Sequence, residues 1–323
     1  MDIPNSSTAL PLQATTRERG QRAVFSWDNL INSFILNKKL QGVSPNTVAN
    51  YTSRLQVFSR VVQKPPTKVT KEDIAGFLVG LKEKGRKPST LYHYCVTLKV
   101  FFKWLQEEGL RDDNPCKDIP LPKLPSALPA PVTLEHFLQA ISHLKTTSFL
   151  QVRALALFSF LFDTGCRVSE ALSLTVGDVD LLNKTAVIKQ GKGGKQRVVF
   201  FSPTTARVIH KYLLLREKKL GSFSQRDWLF VNRDGSRMHK DNVHKIWQRL
   251  QRKAGLKPLP VHALRAGFAR AYLLSGGDAF TLQFLLGHSD IKTTARYVRL
   301  WGQDLQEAYI QHSPLAKVKL KGK

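Results

Sequence analysis

The sequence predicts a mainly α protein carrying a small β-sheet and divided into two domains. Three observations lead there. Apolar residues recur at helical spacing from Ser26 to about Gly109. Pro115, Pro120, Pro122, Pro125, Pro129 and Pro131 then interrupt any period, as an extended linker does. Beyond them a largely helical region holds two strand-like runs, Thr185–Ile188 and Val198–Phe201, on either side of Gly191-Lys192-Gly193-Gly194. The 323 residues suit two domains, expected as a flexible leader over 1–24, a helical domain over 25–110, a linker over 111–130, a second domain over 131–314 and a basic tail over 315–323.

In the first domain, Leu30, Phe34 and Ile35 mark one helix. Val48, Tyr51, Leu55 and Phe58 mark a second, behind the Ser44-Pro45 start signal. Thr70-Lys71-Glu72-Asp73 has the spacing of a capping box and opens a third through Ile74, Phe77, Leu78 and Leu81. A fourth begins at Pro88-Ser89 and runs past Trp104 to Gly109, which suits a C-cap. The second and fourth align on their prolines: Pro45, Thr47, Tyr51, Leu55 and Phe58 match Pro88, Thr90, Tyr94, Leu98 and Phe101. The match reads either as an internal repeat or as two amphipathic helices with one capping style.

In the second domain, Thr133-Leu134-Glu135 opens a helix to about His143. Phe149–Phe162 is apolar all round, which predicts a central buried helix ended by Asp163-Thr164-Gly165. A helix over Val168–Leu174 follows, then the two strand-like runs as a hairpin with a basic tip. Trp228–Val231 reads as one more strand ending at Asp234-Gly235, and the remainder reads as helical to about Ile310.

Composition narrows the function. Fifty Lys and Arg against 24 Asp and Glu leave a formal net charge of +26, spread over both domains, which predicts a surface that meets a polyanion such as nucleic acid. No apolar run is long enough to span a bilayer, so no membrane role is expected. Cys95, Cys116 and Cys166 form no CxxC pair, which argues against a zinc site or a disulfide framework and for a reducing compartment. The N-terminus has no basic start followed by an apolar core, so a secretory signal is not expected and the cytoplasm is. No Walker loop, HExxH, GxSxG or paired acidic site is present; the expectation is no cofactor and no metal.

What remains is cationic. Gly165-Cys166-Arg167-Val168-Ser169-Glu170 puts an arginine just past a helix stop; taken alone, it is a surface cation with Glu170 as its helical neighbour. Lys192, or Lys195 in the same turn, lies at the hairpin tip. His262 and Arg265 share a face near a helix N-terminus that favours anions. His288 follows Gly287 at a helix stop, and Tyr297 lies in the helix beyond. Together these are the groups needed to break a phosphodiester by nucleophilic attack without a metal. A phenolic oxygen attacks phosphorus, guanidinium forks hold the non-bridging oxygens, and lysine and histidine move the protons.

The order and contexts of these residues resemble those of the tyrosine recombinase family, the phage-type integrases, and in particular compact Xer-like members. The resemblance spans about Phe25 to Pro314 and implies a helical, SAM-like core-binding domain followed by a mixed α/β catalytic domain. It implies Arg167, Lys192, His262, Arg265 and His288 as catalytic residues, Tyr297 as nucleophile, and Glu170 as support for Arg167. The chain departs from the family pattern at one place: Ala266 follows Arg265 where a histidine is common, which puts local packing there in question. Tyr212, Tyr272 and Tyr309 are rival tyrosines, none at the matching distance from a Leu-Gly-His.

The resemblance further implies site-specific recombination of double-stranded DNA by a homotetramer on two sites, through a 3′-phosphotyrosyl intermediate and a Holliday junction, for integration, excision or resolution. Accessory proteins would fit that scheme. Polarity and helical phase single out Lys87, Thr90, His93 and Lys99 in the first domain, and Lys240, His244 and Lys245 in the second, as residues that face DNA. Two other functions use the same inventory: a type IB topoisomerase that swivels one strand, and a non-catalytic DNA-binding regulator.

Overall fold

The structure is a computed structural model that describes residues 26–124, 130–189, 196–288, 290, 291 and 293–295. The chain divides into two compact units, Met1–Ser126 and Ala127–Lys323.

Among its described residues the first unit holds four α-helices, α1 (Trp27–Leu40), α2 (Pro45–Val62), α3 (Lys71–Glu83) and α4 (Pro88–Glu107). Their starts are set locally. Ser26 and Ser44 accept from the N–H groups of Asn29 and Thr47, and Pro45 and Pro88 occupy the first helical position, where a missing N–H costs nothing. Thr70 and Asp73 form the expected capping box, Thr70 N–H donating to Asp73 Oδ2 at 2.9 Å. The matched positions of α2 and α4 have matched environments: Leu55, Leu98, Phe58 and Phe101 are buried, and Tyr51 and Tyr94 half-buried. Trp27 joins the two helices, stacked on Phe101 at 5.6 Å and edge-on to Phe58 at 5.6 Å. Within the segment expected as linker from residue 111, Cys116 and Ile119 are buried in this same core. Arg111 Nη1 donates to Pro66 O at 2.8 Å and pins the segment.

The second unit wraps around α6 (Phe149–Thr164), which follows α5 (Leu134–Ile141). Helix α6 is largely apolar and buried over most of its length, Arg153 included, as expected of a central helix. Gly165 ends it in the left-handed region, φ 61°, and an added Cβ there would lie 2.3 Å from Phe268 Cδ1. The short α7 (Val168–Ala171) replaces the longer helix expected to Leu174. A three-stranded antiparallel sheet follows in the order β1 (Val179–Asp180), β2 (Thr185–Ile188) and β3 (Arg197–Phe200), with Ala186 opposite Val199 and Ile188 opposite Arg197. Two residues of β1 are too few to show a period.

Helix α8 (Pro203–Leu220) goes beyond the sequence expectations and packs along α6; Ser202 caps it, accepting from Thr205 N–H. The strand expected over Trp228–Val231 is not there. Leu229, Phe230 and Val231 are buried, but only two isolated bridges form, Thr175 with Trp228 and Val231 with Arg237. Side chains take the place of a ladder: Arg216 Nη1 donates to Trp228 O at 2.7 Å, Arg153 Nη1 to Val231 O at 2.8 Å, and Tyr212 Oη accepts from Val231 N–H. Helices α9 (Lys240–Lys253), α10 (His262–Leu274) and α11 (Ala279–Leu286) follow. Helix α10 packs on α6, and Val132 N–H donates to Ala263 O across it at 3.0 Å. No helix among the described residues is long and apolar enough to cross a membrane.

Candidate active site

The site is assembled where three chain reversals meet: the α6 to α7 turn, the start of α10, and the end of α11. Gly165 lets the chain turn so that Arg167 stands at the N-terminus of α7. Glu170, buried, accepts the Arg167 backbone N–H on Oε2 and the Arg167 Nη1 on Oε1, both at 2.8 Å. Burial alone would raise the Glu170 pKa. The Arg197 hydrogen bonds, the Arg167 N–H and the charge of Arg197 outweigh it and hold the carboxyl at about 2, so Glu170 is an anion at any working pH.

Arg265 is the other fixed cation. It is 2 % exposed, and one turn into α10 its guanidinium reaches back to two helix ends. Nη1 donates to Gly165 O and Nη2 to Leu286 O, each at 2.7 Å. Nη2 also lies 2.8 Å from His288 Nε2. Since a guanidinium only donates, that ring nitrogen is the acceptor, and the ring proton sits on Nδ1, 2.8 Å from the buried Thr294 Oγ1. Gly287, left-handed at φ 65°, ends α11 and aims His288 into this contact. Burial, then the charges of Arg265, Arg167 and Arg197, push the His288 pKa down to about 4.

His262 is exposed at the first position of α10 and within range of the same charges. Desolvation, then Arg265, Arg167 and His244, lower its pKa, so it is poised as a neutral imidazole able to accept a proton. Four of the expected residues, Arg167, His262, Arg265 and His288, are thus brought together. Lys192, Lys195 and Tyr297 lie outside the described residues, as does Tyr309. Of the rival tyrosines, Tyr212 is fully buried in the α6–α8 core, and burial raises its pKa. Ala266, the departure from the family pattern, is buried beside Gly267, where an added Cβ would lie 2.1 Å from Val132 O; small residues here let the chain before α5 cross α10 closely.

The expected DNA-facing residues divide. Lys87 and His93 are exposed and Thr90 is half-buried at the start of α4, and Lys240 and Lys245 are exposed on α9. His244 is half-buried on the same helix. Lys99, half-buried, has Nζ donating to Cys116 O at 2.8 Å and Lys117 O at 3.3 Å, which braces the segment after α4. Two participants were not anticipated. Thr294 fixes the His288 tautomer, and Arg197 grips Glu170 with Nη1 at 3.1 Å and Nη2 at 2.7 Å. A single arginine beginning a strand carries no sign of such a role.

Residues 132–303 match the phage integrase family, and residues 30–112 match the phage integrase N-terminal SAM-like domain. Tyrosine recombinase XerD of Oceanobacillus iheyensis is 32% identical over 283 residues, covering 85% of this chain and 95% of its own. Tyrosine recombinase XerD of Listeria innocua is 31% identical over 297 residues, covering 90% and 98%. The crystal structure of the XerH site-specific recombinase bound to difH substrate, a pre-cleavage complex, superposes with a TM-score of 0.66 at 26% identity, covering 88% of this chain and 84% of that one. With its helical SAM-like unit, its catalytic unit and its cluster of arginines and histidines, the chain belongs to the phage integrase family and is a tyrosine recombinase.

Proposed function

We propose that the chain cuts and rejoins duplex DNA at specific sites with Tyr297 as nucleophile and Arg167, Lys192, His262, Arg265 and His288 around the scissile phosphate. The observation that carries this reading is the convergence of Arg265, Arg167, His288 and His262, in which Arg265 bonds His288 and the two arginine charges lower the pKa of both histidines. Tyr297 stands three residues after Thr294, the partner of His288, which supports its choice over the buried Tyr212.

The Tyr297 oxygen attacks phosphorus and the 5′ oxygen leaves, so one phosphodiester is exchanged for one phosphotyrosyl ester. The phenolic proton passes to a base, for which neutral His262 is suited. Lys192 protonates the departing 5′ oxygen. Arg167 and Arg265 oppose the charge that grows on the non-bridging oxygens. His288 serves as a neutral acceptor that orients Arg265. Because bond energy is retained in the ester, a 5′-hydroxyl from another strand reseals it without ATP. Exchange between two duplexes needs four cleavages, and one tyrosine per chain then requires four copies, working through a Holliday junction.

The net charge of +26 supports a phosphate-dominated interface, with Lys87, Thr90, His93, Lys240, His244 and Lys245 as the DNA-facing set. The expected linker supports two domains that grip one duplex. Buried, unpaired cysteines, with the thiols of Cys116 and Cys166 pushed up to about 12 by burial, fit a reducing cytoplasm.

The test is to denature the protein on DNA of its source cell and sequence the covalently retained ends. A recurrent sequence joined through its 3′ phosphate is the expected result. Relaxed plasmid without exchanged products would point to strand swivelling, and no adduct at all to a binding protein.

A further inference from the structure

Arg197 opens β3 opposite Ile188, at the base of the hairpin whose tip sequence contains Lys192. Its side chain is 12% exposed and reaches two other elements. The guanidinium takes both carboxylate oxygens of Glu170, Nη1 to Oε1 at 3.1 Å and Nη2 to Oε2 at 2.7 Å, a fork that fixes the plane of the carboxylate. Oε1 is shared: Arg167 Nη1 binds it too, at 2.8 Å. On its other side Arg197 Nε donates to Leu285 O at 3.1 Å, and the guanidinium lies so close to Gly287 that an added Cβ there would come 2.9 Å from Nη1. Gly287 is the residue that aims His288.

We infer, building on the reading of the site as a DNA-cleaving centre, that Arg197 is a positioning residue that ties the hairpin base, the Glu170–Arg167 pair and the Gly287–His288 turn into one rigid frame. It acts through Glu170 and the turn, not through DNA. Without it Glu170 keeps a single cationic partner. Arg167 is then drawn across both carboxylate oxygens, turning its fork from the phosphate, and the α11 end loses its tie to β3.

Glu170 separates this role from plain bracing. If Arg197 works by orienting Arg167 through the carboxylate, loss of either member disables the same device, and the two losses do not add.

The experiment measures single-turnover adduct formation on lightly nicked, sheared genomic DNA of the source cell, with protein in excess, for wild type, Arg197→Ala, Arg197→Lys, Glu170→Gln and the Arg197→Ala/Glu170→Gln pair. DNA affinity is measured alongside. We expect Arg197→Ala to slow adduct formation roughly a hundredfold, the usual cost of a misplaced group, with affinity held. Arg197→Lys, which cannot fork, should recover only part, and the double variant should be no slower than the slower single one. Wild-type rates in Arg197→Ala, or full recovery in Arg197→Lys, would overturn the inference, as would additive losses in the double variant. If Arg197→Ala does not fold, Arg197→Lys and Glu170→Gln carry the test. No adduct from wild type would instead overturn the reading beneath it.

Discussion

Arg265 Nη2 lies 2.8 Å from His288 Nε2, so the imidazole accepts from the guanidinium and stays neutral. Arg265 is buried and His288 half-buried, and two helix-end carbonyls also accept from Arg265, which makes this arginine part of the framework as well as of the proposed chemistry.

Arg265→Lys should therefore fail nearly as badly as Arg265→Ala. One ammonium cannot serve Gly165 O, Leu286 O and His288 together with a phosphate. A fall of about 10²–10³-fold in single-turnover cleavage is expected for each. Stopped-time adduct assays check it, and near-normal rates in Arg265→Lys would refute the fork geometry. Arg167→Ala should fall by a similar order, since it removes the second guanidinium.

Acid should weaken the fold through His288. Its folded pKa, about 4, is below the ordinary value of 6.5, so as pH falls below about 6.5 the unfolded chain binds a proton that the folded site refuses. Stability should drop through that window and level off below about 4. His288→Gln should flatten this part of the curve. Urea melts of both proteins at pH 7.5 and pH 5 decide it; parallel pH dependence would show that His288 is not the titrating group.

Two glycines should respond oppositely to Ala. At Gly267 the new Cβ would lie 2.1 Å from Val132 O, a backbone atom, and a loss of about 1–3 kcal/mol is expected. At Gly76, exposed within α3, nothing stands within 4 Å, and a gain of about 0.5–1 kcal/mol is expected. Thermal unfolding of the two variants compares them directly.

Lysines of α4 should separate by role. Lys87→Ala is expected to lower the salt dependence of DNA binding by about one unit of slope. Lys99→Ala should leave that slope alone and lower the stability of the helical unit, since Nζ serves Cys116 and Lys117 carbonyls. Equal slopes for Lys87→Ala and wild type would remove Lys87 from the interface.

Much of this was legible in the sequence because it is local. The Thr70–Asp73 box, the Ser-Pro starts, the apolar α6 and the hairpin runs all declare themselves within a few residues. Helix α8 starts with the same Ser-Pro signal, at Ser202-Pro203, but its long polar stretch dilutes the apolar period. Trp228–Val231 has the composition of a strand, yet its backbone partners come from Arg153, Arg216 and Tyr212, which no local pattern reveals. The same holds at the site. The four described candidate site residues announce themselves by motif, whereas Arg197 meets Glu170 across 27 positions and Leu285 across 88, a relation that exists only in the fold.

The most direct measurement is peptide mapping of the residue that carries the nucleotide after covalent trapping and nuclease digestion. The mass of a nucleotide on the peptide containing Tyr297 is the expected result, together with its complete loss in Tyr297→Phe while DNA binding persists. A nucleotide on another residue, or adducts that survive in Tyr297→Phe, would contradict the account.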